Sequence, residues 1–156
     1  LDIEKVIVFE PVLENYLFAK ENLKSKGNVE LHNYGLGQKS ESVTVNAELG
    51  NDWGWSMFNA PGPNGAKGFA EVTLKTLPEI KFDRSKKNFI KFDIEGAEVF
   101  LLQKDNSRVL KKFNYIFIEF HESRVPGITD KINSLLMATH KVEKMSSEKI
   151  LFTRKI

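Results

Sequence analysis

The stretch Asn88 to Glu98, NFIKFDIEGAE, sets three acids at the end of a short and nearly continuous apolar run. Such a run marks a parallel strand covered on both faces. Lys91 and Asp93 interrupt it, and charges at the mouth of a buried strand cost free energy unless they are paired or solvated. In open α/β sheets ligands bind beyond the carboxyl ends of the strands, where Asp93, Glu95 and Gly96 fall. A second run, Tyr115 to Phe120 (YIFIEF), ends in Glu119, Phe120 and His121. If the two strands are neighbours, Asp93, Glu95, Glu119 and His121 share one edge. An imidazole or carboxylate there can orient or deprotonate a substrate hydroxyl. Three carboxylates and a histidine also suit a hard divalent cation, and pairing with Lys91 or Arg124 is the plain structural alternative. His32 and His140 have no such company and are expected at the surface or its boundary.

Glu10 is an acid of the same kind, placed after the apolar strand Val6 to Phe9. A carboxylate there commonly accepts hydrogen bonds from the two hydroxyls of a ribose, a geometry that serves nicotinamide cofactors and S-adenosylmethionine alike. The alternative is a solvated residue in the first turn of a helix. Gly35-Leu36-Gly37 opens GLGQKS, a poor match to a dinucleotide fingerprint, since Ser40 stands at the sixth position and an alternating strand follows instead of a helix. It reads as a turn.

These residues need a scaffold, and the chain predicts an α/β one. Glu10-Pro11 opens a helix to about Lys26, with Leu13, Tyr16, Leu17 and Leu23 on one apolar side and Gly27 as its cap. Val29 to Leu36 is the next strand, so a strand, helix, strand crossover joins parallel neighbours. Val43 to Ala47 and Phe69 to Leu74 alternate as half-exposed strands. Between them Leu49 to Gly68 is rich in glycine and carries Trp53, Trp55 and Phe58, as in a loop with something to cover. A helix from about Ala97 to Lys104 and a shorter one capped by Ser107 precede YIFIEF. Ile128, Ile132, Leu135 and Leu136 mark an amphipathic helix. Lys141 to Met145 and Ile150 to Thr153 close the chain as a hairpin.

Composition narrows the class. The 156 residues, 41% of them hydrophobic, suit one domain with a real core. Net charge is +2 and the basic residues are scattered, which does not favour nucleic acid as a partner. Without cysteine there are no disulfides or thiolate metal sites. No apolar stretch approaches a membrane span and no charged-then-apolar leader appears, so a soluble, cytoplasmic domain is expected.

VIVFEP at 6–11, NVELHNYGLG at 28–37, the loop from Trp53 to Phe58, TLPEI at 76–80, IKFDIEGAE at 90–98 and YIFIEFH at 115–121 resemble, in that order, the FkbM-type methyltransferases. The resemblance runs across most of the chain and is strongest at FEP and KFDIEGAE. It implies a class I methyltransferase-like, Rossmann-like mixed sheet with helices on both faces and a C-terminal antiparallel hairpin. It further implies S-adenosylmethionine as cofactor and a hydroxyl of a sugar, glycan or natural-product-like small molecule as acceptor. By position Glu10 would hold the ribose, the backbone around Gly35 and Leu36 would border the adenine, and Asp93 would lie by the methionine end. Glu95, Glu119 and His121 would face the acceptor. The family's glycine-rich loop follows a first strand that precedes VIVFEP. The chain enters its first strand by Val6, so a single, N-terminally truncated domain is expected, lacking a central strand between Val6–Phe9 and Phe89–Ile94. A nicotinamide-dependent oxidoreductase and a non-catalytic binding module are the rival readings.

Overall fold

The computed structural model of the protein describes residues 5–48, 67–83, 85–94 and 96–155. Glu95 and the loop bearing Trp53, Trp55 and Phe58 lie outside the described residues. No helix among the described residues is long and apolar enough to cross a membrane.

The chain opens with β1 (Val6–Phe9), α1 (Leu13–Leu23) and β2 (Val29–His32). β1 and β2 pair in parallel from Val6 against Val29 to Phe9 against His32, as the crossover requires. The predicted strand to Leu36 is split. Asn33 turns its side-chain amide onto the carbonyls of Glu10 and Pro11, at 2.9 and 3.0 Å, and so leaves the ladder. The chain resumes as β3 (Gly35–Leu36), which pairs in parallel with β5 (Lys67–Lys75). GLG is therefore part of a sheet and not a free turn. A β-carbon at Gly37 would lie 2.8 Å from the Leu74 side chain, so glycine is needed there for close packing. β4 (Glu41–Glu48) pairs antiparallel with β5, giving a three-stranded sheet ordered β3-β5-β4.

The third sheet holds the main core. β6 (Phe89–Phe92) and β7 (Tyr115–Glu119) are parallel neighbours, and β9 (Lys149–Arg154) and β8 (His140–Lys144) extend the sheet antiparallel in the order β6-β7-β9-β8. Ile116, Ile118 and Phe120 alternate inward along and just beyond β7. They meet Phe152 and Ile150 of β9, together with Leu101, Leu110 and Leu77. α3 (Ile128–Leu136) adds Ile128, Ile132 and Leu136, its one buried stripe, as the spacing predicted. α2 (Lys104–Leu110) corrects one expectation: Ser107 lies inside the helix, buried, with its hydroxyl bonded to the Lys104 carbonyl at 2.9 Å, and caps nothing.

Two strands expected to be fully buried are not. Every residue of β1 is half-exposed, and Phe89 of β6 is 60% exposed. The reason is that each has a strand on one edge only among the described residues. These are the two strands between which the resemblance places a further strand. α1 leaves apolar residues open as well: Leu13 and Leu17 of its predicted apolar side are 55 and 52% exposed, and Phe18, on another side of the helix, is 74% exposed.

Candidate functional site

Parallel pairing of β6 with β7, Phe92 opposite Ile118, brings the carboxyl ends of both strands to one edge. Asp93 leaves the end of β6, and its Oδ2 lies 3.0 Å from Lys91 Nζ, two residues back on the same face. His121 follows β7. Its carbonyl accepts the amides of Arg124 and Val125 at 2.8 and 3.1 Å, which fixes the turn carrying the ring. The same turn is tied to the start of α3 by Glu122, whose carboxylate accepts from the Gly127 and Thr129 amides and the Thr129 hydroxyl. Those bonds, the Thr129 hydroxyl first, hold the Glu122 carboxyl below the usual range.

The ring of His121 lies between two acids. Nε2 is 3.9 Å from Asp93 Oδ1, and Nδ1 is 2.7 Å from Glu98 Oε1. Glu98 is wholly buried, although it belongs to a charged residue type. Its placement begins with Gly96, whose φ of 96° lies in the left-handed region that glycine adopts freely. That turn starts a 3-10 segment, Ala97–Leu102, and directs Glu98 inward beneath His121. Sequence reasoning counted Glu98 among the acids of the motif without assigning it a role. The available signal was an acid two residues past Gly96, in a segment otherwise apolar from Ala97 to Leu102.

The predicted residues separate in space. Asp93 and His121 come together. Glu119 takes another partner: its carboxylate lies 3.3 Å from Lys149 Nζ, the residue opposite it in the β7–β9 register. Among the described residues no group of three or more His, Asp or Glu side chains is arranged to hold a metal ion. His140, expected near the surface, is 1% exposed. Its Nε2 donates to the Phe113 carbonyl at 3.0 Å and its Nδ1 faces the Thr139 hydroxyl at 2.9 Å, so hydrogen bonds replace the water it loses. Burial lowers its proton affinity.

Glu10 stands at the carboxyl end of β1. Its Oε1 accepts from the Val12 amide at 2.9 Å, just ahead of α1, and the Asn15 side chain also bonds to it. Burial nonetheless raises the carboxyl above its usual range, against the lowering effect of those two bonds. A carboxylate offers about four lone-pair positions, so acceptor capacity is left for a diol. Gly35 is accounted for by packing, since a β-carbon there would meet Pro11 and Leu74 at 3.1 and 3.2 Å.

TLPEI has a structural role. Thr76 and Glu79 form a capping box around the 3-10 turn Leu77–Glu79, and Leu77, fully buried, donates its amide to Asn106 Oδ1 at 3.0 Å.

A family model described as the methyltransferase FkbM domain matches residues 3–146. The chain belongs to the FkbM methyltransferase domain family. The solved structure of a methyltransferase FkbM from Methylobacillus flagellatus KT aligns with a TM-score of 0.56 at 17% identity, covering 96% of this chain and 36% of that one. At that identity the likeness establishes the fold, and the chain spans about a third of that protein's length. No curated protein matches it. The strand orders β2-β1 and β6-β7-β9-β8, with parallel pairs leading and an antiparallel hairpin at the end, agree with the Rossmann-like class that the FkbM motifs implied.

Proposed function

We propose that this FkbM domain carries out S-adenosylmethionine-dependent O-methylation of a sugar or natural-product-like small molecule. The reading rests first on family membership, and the observation that favours hydroxyl chemistry is His121, placed between Asp93 and the buried Glu98 at a strand-end edge. A hydroxyl oxygen beside the 3.9 Å gap between Nε2 and Asp93 can lie within hydrogen-bond reach of both. Glu10, with spare acceptor capacity, would hold the cofactor ribose, and the backbone at Gly35 and Leu36 would border the adenine. S-adenosylmethionine, when bound, supplies an electrophilic methyl group on a sulfonium sulfur. The chain's own part is alignment and proton removal, with Asp93 and His121 orienting the hydroxyl and a carboxylate or the imidazole assisting loss of its proton. Lys91 balances the charge of Asp93. Glu95 and Glu119 remain proposed contributors to the acceptor side, Glu119 by way of its ion pair with Lys149.

The test is transfer of a labelled methyl group to a panel of sugars and hydroxylated small molecules. His121→Ala should lower the rate by about 10²- to 10⁴-fold, the range of a general base. An unchanged rate would remove His121 from the chemistry.

A further inference from the structure

Glu10 is presented by a segment that core packing supports at one end only. β1 before it is half-exposed throughout, whereas Val12 after it is buried against Val45, Val72 and Leu74. What fixes the segment at Glu10 and Pro11 is polar. The Glu10 amide donates to the His32 carbonyl at 3.0 Å, the last rung of the β1–β2 ladder. In a continuing parallel ladder the Glu10 carbonyl would take a backbone amide from beyond β2. The Asn33 side chain takes that place, with its Nδ2 2.9 Å from the Glu10 carbonyl and 3.0 Å from the Pro11 carbonyl.

A carbonyl oxygen only accepts, so the Asn33 terminal atom that meets both carbonyls has to be the amide nitrogen, and both of its hydrogens are used. Each hydrogen holds one of the two peptide planes that flank the Pro11 Cα. The second plane, Pro11 to Val12, carries at its other end the Val12 N–H, which donates to Glu10 Oε1 at 2.9 Å. One peptide unit therefore takes a bond from Asn33 at its oxygen and gives a bond to Glu10 at its nitrogen, an arrangement in which each bond polarises the other. Gly35, two residues past Asn33, closes on the same turn, since a β-carbon there would meet the Pro11 ring at 3.1 and 3.2 Å.

We propose that Asn33 is a positioning residue for Glu10: through the Pro11–Val12 peptide it sets the direction in which the Glu10 carboxylate offers its remaining acceptor positions to the ribose diol of the cofactor. The ribose rests on the methyltransferase reading; the link from Asn33 to Glu10 does not. Asn33 also leads into Gly35 and Leu36, the backbone proposed to border the adenine. It thus ties the acid that holds the sugar to the wall that faces the base, and the spacing between the two halves of a nucleoside site depends on one side chain.

The test combines a binding cycle with a readout that needs no cofactor. S-adenosylhomocysteine is titrated calorimetrically into wild type, Asn33→Asp, Glu10→Ala and the double variant. Asn33→Asp keeps the side chain's shape and replaces the donor by an acceptor. It should weaken binding by about 10-fold in the wild-type background and by less than about twofold in the Glu10→Ala background, because a residue that acts through another loses its effect when that other is gone. Equal losses in both backgrounds would overturn the proposal. In the cofactor-free protein, hydrogen exchange of the Val12 amide should speed up by about 3- to 10-fold in Asn33→Asp, while the Tyr16 amide, bonded to the Val12 carbonyl within the turn of α1, keeps its rate. Asn33→Ala, which brings in no charge, serves for both measurements if repulsion unfolds the aspartate variant. A folded Asn33 variant with an unchanged Val12 amide would overturn the proposal whatever its affinity. If the Val12 amide responds and wild type takes up no S-adenosylhomocysteine, the ribose reading of Glu10 fails and the positioning of Glu10 by Asn33 stands.

Discussion

The two parallel pairs of this molecule are built alike and buried very differently. β6–β7 belongs to a four-stranded sheet whose inward residues join a core of α3, α2 and the C-terminal hairpin, with Ile116, Ile118 and Phe152 at 0% exposure. β1–β2 has the same parallel ladder, yet no residue of β1 or α1 is buried. The difference teaches that pairing and packing are separable. A parallel crossover can form from local pattern, while burial needs layers on both faces. The proposed chemistry divides along the same line, the proton-handling residues lying in the packed region and the ribose-binding acid in the open one.

The sharpest way to break this contrast is to cut into each region equally. Ile118→Ala, at a fully buried position on β7, should cost about 2–5 kcal/mol in urea denaturation, because the cavity would form among side chains that cannot collapse far. It should also loosen the turn that carries His121, three residues on. A cost under 1 kcal/mol would show that the β6–β9 core is much less tightly packed than its burial indicates.

A smaller effect is expected at Glu10, where function and stability should come apart. Removing a charge-assisted hydrogen bond to the ribose should weaken binding of S-adenosylhomocysteine by about 1.5–3 kcal/mol. Calorimetric titration of Glu10→Ala measures it, and unchanged affinity would leave Glu10 only its structural bonds to Val12 and Asn15.

What the sequence made legible follows the same division. Apolar runs and period-3.6 stripes located β1, β6, β7 and α3, because these signals are local and strong. The spacing of the acids brought Asp93 and His121 to one edge through the rule that parallel neighbours end together. Two features depended on contacts remote in sequence and stayed hidden. Glu98 became part of the site only through the left-handed turn at Gly96 and the return of His121 from 23 residues away. His140 is buried because the adjacent Thr139 hydroxyl and the Phe113 carbonyl satisfy it, and the Phe113 carbonyl, 27 residues away, is not visible in its own neighbourhood of the chain. Glu119 was drawn into the predicted site by its strand-end position, whereas the antiparallel register with β9 set Lys149 opposite it.

His140 also sharpens the comparison through pH. Burial lowers the proton affinity of its imidazole in the folded state. As pH falls through the ordinary histidine range near 6.5, the unfolded chain therefore takes up a proton that the folded chain does not, and stability falls. The loss levels off below the folded-state pKa. Wild type should lose more stability between pH 7.5 and 5.5 than His140→Gln, as read from urea midpoints at each pH. Equal losses would assign the acid sensitivity to other groups.

The smallest expected effect bears most directly on the open region. Leu17 and Phe18 are adjacent apolar residues on the exposed side of α1, and alanine there removes little buried area while favouring the helix. Leu17→Ala and Phe18→Ala should each change stability by less than about 0.5 kcal/mol, the usual range for surface positions. The result depends on what covers this side in the protein. If either substitution costs about 2 kcal/mol or more, then that side chain is buried by material beyond the described residues. The half-exposed β1 beside it would then be a strand awaiting its second face, not a permanent edge. A null result would instead leave α1 a solvent-facing helix and make the contrast between the two parallel pairs a property of the protein itself.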